Sequence, residues 1–401
     1  MNKVLIFTPH FFPEKQILND LVFSLNKELK FIIVTSFPNY PDRKLFKEYK
    51  FFRSLYCSKY KNIKIIRLPV IYRKKNNKFF LFLNYLTYVL SSLILLPTFL
   101  FIKFDKIFIY LTSPFSVTLA PFILSLCKRM KLNIWVLDLW PETLLAYNFR
   151  FKNFIIKSIF SYTQIFYTKC ENIFVSSLAY SKSKSLINFK KKITFVPQWI
   201  INIDKVKLKY PYALPRVYKN DFIILFSGNI GKAQNLDQLF KTIKSTQLNK
   251  KIKWFFVGDG SEKDYFQKKV EKHNLLNIHF FGHIPYEQLN VFYEKANAYL
   301  ISLVDSPAIN KVLPAKLQHY LIYGKPILTL SSGEISDFVY KNKIGFVAKS
   351  NDHSKLSENI IKLTEANEKE LGQIKIQSKK LVNNIFDKNL NLNKIKQKAF
   401  L

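Results

Sequence analysis

Two carboxylates interrupt an apolar stretch in the first half of the chain. The segment IWVLDLWPETLLA, residues 134–146, begins like a buried strand and then places Asp138 and Glu142 around a Trp-Pro pair. A carboxylate just beyond a strand can accept a proton or stabilise a developing positive charge. We therefore expect chemistry at these two residues, with capping of a helix that begins at Thr143 as the structural alternative.

A glycine turn in the second half has the composition of an anion site. In LFSGNIGKAQNLDQLF, residues 225–240, a strand pattern gives way to Gly228 and Gly231 and then to a helix pattern. Glycine permits close backbone approach, and the free N–H groups at a helix N-terminus favour a diphosphate. Lys232 would add a full positive charge, although an ordinary βα loop explains the same pattern.

The next two predicted strands also end in glycine. FVGDGSEK places Gly258, Asp259 and Gly260 at one strand end, and FFGHIPYEQL places Gly282 at the following one. Three consecutive strand ends with glycine favour a phosphate-binding edge over three unrelated turns.

A lysine-bearing helix follows these turns. In LPAKLQHYLIYGKPIL, residues 313–328, the pattern predicts a helix that opens after Pro314 and closes at Gly324, with Lys316 in its first turn. A lysine there complements the helix dipole poorly but suits an external anion. The alternative is a solvated surface lysine.

Short β-branched and aromatic runs alternate with helical patterns along the chain, which is typical of parallel sheets with helices on both faces. The predicted strands of the first half are 3–8, 31–36, 63–68, 106–111, 133–138 and 172–177. The second half repeats a strand followed by a turn in the segments 222–231, 253–260, 278–284, 298–303, 326–331 and 345–350.

The alternation stops at residues 193–216, where prolines and a mixed polar run indicate a linker. A chain of 401 residues exceeds the usual size of one hydrophobic core. We predict a first domain at 1–205, a second at 216–385, and a C-terminal helix at 386–401 that packs back on the first. Because ligands of open α/β sheets bind outside the carboxyl ends of the strands, the two domains would share a cleft.

The composition indicates a folded protein with a large positive field. Hydrophobic residues make up 48%, which excludes disorder, and 63 Lys and Arg against 27 Asp and Glu give a net charge of +36. Such a charge attracts phosphates, nucleic acid or anionic membranes. An AT-biased genome would produce a similar composition. No aromatic RNA-recognition signature, zinc motif or helix-turn-helix pattern favours nucleic acid.

Three cysteines, Cys57, Cys127 and Cys170, lie far apart without CxxC spacing. They indicate neither a zinc site nor a disulfide framework, so a reducing cytoplasm is expected. The first apolar run is too short for a signal peptide and reads as a first strand.

The segment FFLFLNYLTYVLSSLILLPTFLFI, residues 79–102, has the length of a membrane span but is basic at both ends. Three interpretations stay open: a helix in the membrane interface, a buried core helix, or a true span. Interfacial contact accounts for the basic flanks, because Lys and Arg attract anionic headgroups while Phe and Leu enter the acyl boundary.

Taken together and in this order, the pieces resemble the retaining nucleotide-sugar glycosyltransferases of family 4, most closely the fucosaminyltransferase-like branch of bacterial O-antigen and capsule synthesis. The matching pieces are HFFPE (10–14), LNDLV (18–22), FPNYP (37–41), TSP (112–114), DLWPET (138–143), GNIGKAQNL (228–236), VGDG (257–260), GHIP (282–285), LPAKLQHYL (313–321) and GKPIL (324–328).

The resemblance implies the GT-B fold, an α/β architecture of two Rossmann-like domains facing each other across a cleft. The first would bind the acceptor and the second a UDP-linked nucleotide sugar, with lysines and backbone amides rather than a metal or other cofactor on the diphosphate. The positions that match this donor site are Gly228, Asn229, Gly231, Lys232, Gln234, Gly258, Asp259, Gly260 and Lys316.

Two departures from the broader family concern the donor site. Lys311 and His319 stand where the family has two glutamates eight positions apart, and Asn229 and Gln234 stand where it has Arg and Lys. Lys232, Lys311 and Lys316 are candidates to supply the missing charge.

For the reaction, the resemblance implies that Asp138 orients or deprotonates the acceptor, that Glu142 is a second contact, and that His10 points at the cleft. Trp140 would pack against a sugar or the other domain. Alternatively the leaving phosphate deprotonates the acceptor, and no side chain is a true base.

The implied function is transfer of a sugar, with an N-acetylated amino or deoxy sugar as the candidate class, to a lipid-linked saccharide at the cytoplasmic face of the inner membrane. The protein would then be peripheral, or monotopic, with no nucleic-acid partner. An inactive relative that binds nucleotide sugar within an assembly complex is the alternative.

Overall fold

The computed structural model describes residues 1–39, 58–61, 63–74, 77–146, 153–200, 221–285 and 288–401. The chain forms two compact units, Met1–Gln198 together with Lys388–Leu401, and Trp199–Asp387. Most of the predicted linker lies outside the described residues, as do Tyr40 and Pro41 of the FPNYP piece and Cys57.

The first unit contains an eight-stranded sheet in the order β3-β4-β2-β1-β5-β6-β7-β8, parallel except for β3. Its strands are β1 Lys3–Phe7, β2 Lys30–Ser36, β3 Ser58–Tyr60, β4 Ile63–Leu68, β5 Lys106–Leu111, β6 Leu132–Val136, β7 Cys170–Val175 and β8 Ile193–Phe195. Helices cover both faces, so the central strands are apolar throughout; Val4 to Phe7 of β1 are fully buried.

The helices of this unit before the linker are α1 Ile17–Leu25, α2 Lys78–Ile94, α3 Leu96–Phe101, α4 Leu119–Cys127, α5 Glu142–Ala146 and α6 Asn153–Lys169. Asn77 starts α2, because its side chain accepts hydrogen bonds from the amides of Phe79 and Phe80 at 3.0 and 3.1 Å.

Two features of the first unit differ from the sequence prediction. Residues 193–195, assigned to the linker, form β8, because the Ile-Thr-Phe run pairs in parallel with β7 at the sheet edge. The apolar segment 79–102 is not one helix: it is divided at Leu95 into α2 and α3, next to Pro97, which cannot continue a helical hydrogen-bond ladder.

Within the described residues, no helix has the length and apolarity that crossing a bilayer requires.

The second unit contains a six-stranded parallel sheet in the order β11-β10-β9-β12-β13-β14. Its strands are β9 Phe222–Ser227, β10 Ile252–Val257, β11 Ile278–Gly282, β12 Ala298–Ser302, β13 Ile327–Leu330 and β14 Gly345–Ala348. Its helices are α7 Leu236–Thr246, α8 Lys263–Lys272, α9 Asn290–Lys295, α10 Lys316–Tyr323, α11 Glu334–Lys341, α12 His353–Thr364 and α13 Glu368–Asn384.

In both sheets the strand order reverses beside the first strand of the unit. β1 lies between β2 and β5, and β9 lies between β10 and β12. Open α/β sheets bind ligands in the crevice at such a switch point, outside the carboxyl ends of the strands. The loops after β1, β5 and β6 and those after β9 and β10 are therefore the places to look for function.

The chain ends in the first unit, with α14 Lys388–Ile395 and a final π-helical turn, Lys396–Phe400. The ammonium of Lys388 binds Asp20 of α1 at 2.7 Å, and the Phe400 ring packs edge-on against Phe108 of β5. The terminal segment thus completes one face of the first sheet.

Candidate functional site

The glycine loops of the second unit interlock through their backbones. Gly228 donates to the carbonyl of Val257 at 2.8 Å, and Gly258 donates to the carbonyl of Gly282 at 2.7 Å. A β-carbon on Gly258 would lie 1.8 Å from the carbonyl oxygen of Gly228, and one on Gly260 would lie 2.2 Å from that of Ile230. The three predicted glycine turns therefore form one edge, and the close approach requires glycine.

Gly228 and Gly258 also have positive φ angles of 121° and 144°. L-residues with a β-carbon rarely adopt such angles. Both residues are at least partly exposed, so the backbone at this edge is accessible to a ligand.

Lys316 lies against this edge. Its ammonium would be 3.6 Å from a β-carbon on Gly228, it lies 3.9 Å from the centroid of the Phe226 ring, and it donates to Oε1 of Gln234 at 3.3 Å. The residue as a whole is partly exposed, but the surroundings of the ammonium desolvate it and lower its pKa from 10.5 to about 7. Lys316 is at the first position of α10, as predicted.

The connection between the glycine turn after β9 and the following helix contains an additional short turn. A 3₁₀ turn at Lys232–Gln234 and a left-handed Asn235 precede α7, so that helix begins at Leu236 rather than directly after Gly231. The Lys232 side chain is exposed. The side-chain amide of Asn229 lies close above both Gly231 and Gly260: β-carbons there would be 2.7 Å from its Nδ2 and Oδ1, respectively.

The other donor-site candidates have local partners. Asp259 accepts a hydrogen bond from the amide of Gly260 at 2.9 Å. Lys311, the last residue of the 3₁₀ turn Ile309–Lys311, donates to the carbonyl of Pro307 at 3.2 Å. His319 lies on α10 with Nδ1 3.3 Å from the carbonyl of Ala315, and desolvation lowers its pKa.

Two tyrosines that hold the strand end were missed in the sequence. The hydroxyl of Tyr320 accepts from the amide of Ser227 at 3.1 Å, and the hydroxyl of Tyr293 lies 3.0 Å from Oγ of Ser227. Ser227 immediately precedes Gly228, so both tyrosines fix the start of the glycine loop. A contact over 93 residues leaves no local sequence pattern.

In the first unit, Asp138 follows β6 and faces the loop after β5. Ser113 donates to Oδ2 of Asp138 at 2.7 Å, and Nε1 of Trp140 donates to Ser113 Oγ at 3.2 Å. Burial raises the pKa of Asp138, and the hydrogen bond from Ser113 partly opposes this shift. A carboxylate with a raised pKa is a stronger base, which suits proton transfer near neutral pH.

Glu142 has a different environment. Its carboxylate accepts from the amide and the hydroxyl of Ser185 at 3.1 and 3.0 Å, and its second oxygen is 3.1 Å from the same hydroxyl. Glu142 is also the first residue of α5, where a negative charge complements the helix dipole. These contacts give Glu142 a structural role in tying α5 to the segment after β7.

His10 is 5% exposed and lies in the loop after β1. Its Nδ1 is 2.8 Å from Glu14 and its Nε2 is 3.1 Å from Nη2 of Arg73. Both ring nitrogens therefore have protein partners. From the sequence, Arg73, which follows β4, was expected only as a basic flank of the apolar segment and not as a partner of His10. In the part of the chain that the structure describes, no group of three or more His, Cys, Asp or Glu could hold a metal ion.

Comparison with known proteins supports the assignment of the fold. Residues 215–380 match the family described as "Glycosyl transferases group 1". WcaI of Escherichia coli (strain K12), whose description as a colanic acid biosynthesis glycosyl transferase is itself provisional, is 27% identical over 142 residues. That match spans 33% of this chain and 34% of WcaI, about a third of each protein.

Several solved structures resemble the whole chain. Sucrose-phosphate synthase from Thermosynechococcus elongatus has a TM-score of 0.72 at 14% identity, and the match covers 99% of this chain and 98% of the synthase chain. Anabaena HepE, solved with UDP and glucose, has a TM-score of 0.68 at 12% identity, with 99% of both chains covered. A glycosyltransferase from Rickettsia africae has a TM-score of 0.68 at 15% identity, and the match covers 99% of this chain and 97% of the Rickettsia chain.

The fold is therefore GT-B, with two Rossmann-like units, as predicted. The part of the chain that is similar to the group 1 glycosyltransferases, residues 215–380, contains the glycine loops and Lys316. The finer resemblance to the fucosaminyltransferase-like branch stays a prediction.

Proposed function

We propose that this protein is a retaining glycosyltransferase that moves a sugar from a nucleotide donor, UDP-linked, to a lipid-linked saccharide in bacterial surface-polysaccharide synthesis. The observation that carries the proposal is the position of the Lys316 ammonium beside Gly228 in the interlocked glycine loops.

The second unit would hold the donor diphosphate. Exposed backbone at Gly228, the amide of Asn229 and the cation of Lys316 provide hydrogen bonds and charge without a metal. The same groups would stabilise the negative charge that grows on the leaving diphosphate. We expect transfer to proceed in the presence of a chelator.

The first unit would present the acceptor. As the glycosidic bond breaks, positive charge develops at the sugar and the acceptor hydroxyl loses its proton. Asp138, with a pKa raised by burial and a position fixed by Ser113, is our candidate to orient this hydroxyl and take its proton. Should the leaving phosphate take the proton instead, Asp138 would still orient the hydroxyl. Because both oxygens of Glu142 bind Ser185, we assign Glu142 to support and not to proton transfer.

The choice of donor and acceptor class rests on the relatives. HepE was solved with UDP and glucose, which favours a uridine nucleotide. The description of WcaI names colanic acid, a polysaccharide, which favours a saccharide acceptor. An N-acetylated amino or deoxy sugar follows from the resemblance alone.

Helix α2 supports a membrane location for the acceptor, because its polarity is inverted. The buried residues are Asn84, Tyr88, Val89 and Ser92, three of which carry a polar side-chain group. The exposed face carries one apolar stripe with helical spacing: Phe79 (64% exposed), Phe82 (60%), Leu86 (40%), Leu90 (48%) and Ile94 (76%). A soluble surface helix shows the opposite arrangement.

The surroundings of this stripe are suited to an anionic bilayer. Lys74, Lys78 and Lys103 are exposed at its two ends. Helix α2 packs against α4, and α4 packs against α6 through Phe122 and Tyr162, so the three helices share one face of the sheet. This face also exposes Leu126, Phe154 and Ile165. Apolar side chains would enter the acyl boundary while the lysines bind headgroups. We therefore propose a peripheral position at the cytoplasmic membrane surface.

The test is a screen of nucleotide sugars by thermal shift, followed by transfer of the best donor to an undecaprenyl-linked saccharide in vesicles. We expect a UDP-sugar to stabilise the protein and its sugar to appear on the lipid, with and without chelator. If no nucleotide sugar stabilises the protein, the proposal is wrong.

The second candidate function is binding without turnover, as an inactive partner in an assembly complex. It is favoured by Lys311 and His319, which replace the two glutamates of the broader family. Tight UDP-sugar binding with no transfer to any lipid-linked saccharide would support it.

A further inference from the structure

The buried side of α2 joins a closed ring of hydrogen bonds. Asn84, 4% exposed, accepts from Nε of Arg73 at 3.0 Å through Oδ1. Its Nδ2 is 2.7 Å from the carbonyl of Ile71 and 3.3 Å from Oδ1 of Asn39. One side chain of α2 thus contacts both the segment after β4 and the loop after β2.

Arg73 continues the ring to His10. Its Nη2 lies 3.1 Å from Nε2 of His10. A guanidinium has only donors, so Nε2 of His10 must be the acceptor and carry no proton. The proton of the neutral ring then resides on Nδ1, which donates to Oε2 of Glu14 at 2.8 Å.

Glu14 and Asn39 close the ring. The second carboxylate oxygen of Glu14 accepts from the backbone amide of Asn39 at 2.6 Å. The five members, in order, are Asn84, Arg73, His10, Glu14 and Asn39. Four of them are buried, and Arg73 is partly buried and also lies over the Tyr85 ring of α2 at 5.0 Å.

Such a ring responds as a unit. A buried polar group that loses its partner destabilises the fold, and hydrogen bonds in a network reinforce one another. A displacement of α2 moves Asn84, and the remaining members then either follow or lose a partner. The two faces of α2 are therefore linked: the apolar stripe points outward, and Asn84 on the buried face is connected through Arg73 to His10 in the loop after β1.

We propose that Arg73 and Asn84 are positioning residues that hold His10 in its Nδ1-protonated form, and that the ring transmits the seating of α2 on an anionic bilayer to the loop that carries His10. This inference rests on the proposed function, because it gives the membrane surface a second role: it fixes the acceptor-side loops where the lipid-linked acceptor is found.

The direct test is nitrogen NMR of the full-length protein labelled with ¹⁵N-histidine. The chain has six histidines, and His10→Gln identifies the signals of His10 by their loss. We expect proton coupling on Nδ1 and none on Nε2 in the wild type. Asn84→Ala and Arg73→Met should each bring a population with the proton on Nε2.

Ser91→Ala is the matched control, because Ser91 also lies on α2 and donates to the same segment, at the carbonyl of Pro69, but stands outside the ring. It should leave the His10 signals unchanged. If Asn84→Ala does not fold, Arg73→Met carries the test, with UDP binding as the check that the second unit is intact.

The bilayer arm uses vesicles of phosphatidylglycerol and phosphatidylcholine. Vesicles should shift the His10 signals in the wild type and in Ser91→Ala, and should do so much less in Asn84→Ala. With a lipid-linked acceptor, Asn84→Ala should lower kcat about tenfold and leave the donor KM unchanged.

The outcomes separate this inference from the proposed function. A wild-type His10 protonated on Nε2, or the same tautomer in Asn84→Ala and Arg73→Met as in the wild type, overturns the positioning role. Vesicles that bind the protein without moving the His10 signals overturn the transmission but leave the membrane location standing. Failure of the protein to bind vesicles or UDP-sugars overturns the proposed function itself.

Discussion

The ammonium of Lys316 donates to the side-chain oxygen of Gln234 at 3.3 Å, in surroundings that lower the lysine pKa to about 7. Gln234 is neutral and satisfies one donor of the lysine without neutralising its charge. The site is therefore prepared for an external anion, whose binding would restore the favourable charge pairing that burial removes.

The first prediction concerns pH. The folded pKa of Lys316 is lowered, so the ammonium is charged below about pH 7 and neutral above it. The diphosphate stays ionised across this range and prefers the charged lysine. UDP affinity should therefore fall as pH rises above 7, by up to about tenfold per unit, with proton uptake on binding. Titration calorimetry in buffers of different ionisation enthalpy measures both quantities.

Lys316→Arg provides the control for this prediction, because a guanidinium remains charged at all these pH values. Its UDP affinity should be nearly independent of pH between 6 and 9, whatever its absolute value. A wild-type affinity that is equally flat would show that Lys316 does not titrate in contact with the nucleotide.

The second prediction concerns the glycine loops. Gly258→Ala combines a φ of 144° with a β-carbon 1.8 Å from the Gly228 carbonyl oxygen, so we expect a loss of about 2–4 kcal/mol in the free energy of unfolding and loss of UDP binding. Gly372→Ala is the matched control: it lies inside α13 with no atom within 4 Å of the new β-carbon, and should stabilise by about 0.5–1 kcal/mol. Denaturant unfolding measures both; equal effects would contradict the interlocked edge.

The third prediction concerns the hydrogen bond that Ser113 donates to Asp138. The hydrogen bond from Ser113 stabilises the carboxylate and opposes the rise in the Asp138 pKa. Ser113→Ala should therefore raise that pKa further and move the acidic limb of kcat/KM to higher pH. Ser125→Ala, which removes a hydroxyl that binds the Phe122 carbonyl, should leave the profile in place. A shift to lower pH in Ser113→Ala would exclude Asp138 as the group that accepts the proton.

The fourth prediction concerns the apolar stripe of α2. The double variant Phe82→Ser/Leu90→Ser removes exposed apolar side chains, so binding to phosphatidylglycerol vesicles should weaken by at least about tenfold without loss of thermal stability. Leu248→Ser/Leu276→Ser changes two side chains that are each 89% exposed in the second unit and should sediment with vesicles like the wild type. Unchanged sedimentation of the α2 variant would remove the membrane proposal.

Features that depend on local chemistry were predictable from the sequence. Glycine at three consecutive strand ends indicated that these loops form one edge, and Pro314 and Gly324 bounded the helix that carries Lys316. These signals are local, because backbone angles and helix ends are set by neighbouring residues.

Features that depend on distant partners were not predictable. The three-residue strand β8 is too short to show a period, and it is recognisable only by its pairing with β7. In the sequence, Asn84 is a polar residue that interrupts the apolar segment 79–102. In the structure it is buried against Arg73 and Asn39. From the sequence, Glu142 is a candidate reactive carboxylate. Its hydrogen bond with Ser185, which is 43 residues away in the chain, is visible only in the structure.

The most direct test of which unit binds the donor and which binds the acceptor is titration calorimetry of UDP with three proteins: wild type, Lys316→Ala and Asp138→Asn. Loss of a charge-assisted contact corresponds to about 1.5–3 kcal/mol, so Lys316→Ala should weaken UDP binding roughly 10- to 100-fold. Asp138→Asn should bind UDP as the wild type does while failing to transfer sugar. Weakened binding in Asp138→Asn together with full affinity in Lys316→Ala would contradict the assignment of donor and acceptor to the two units.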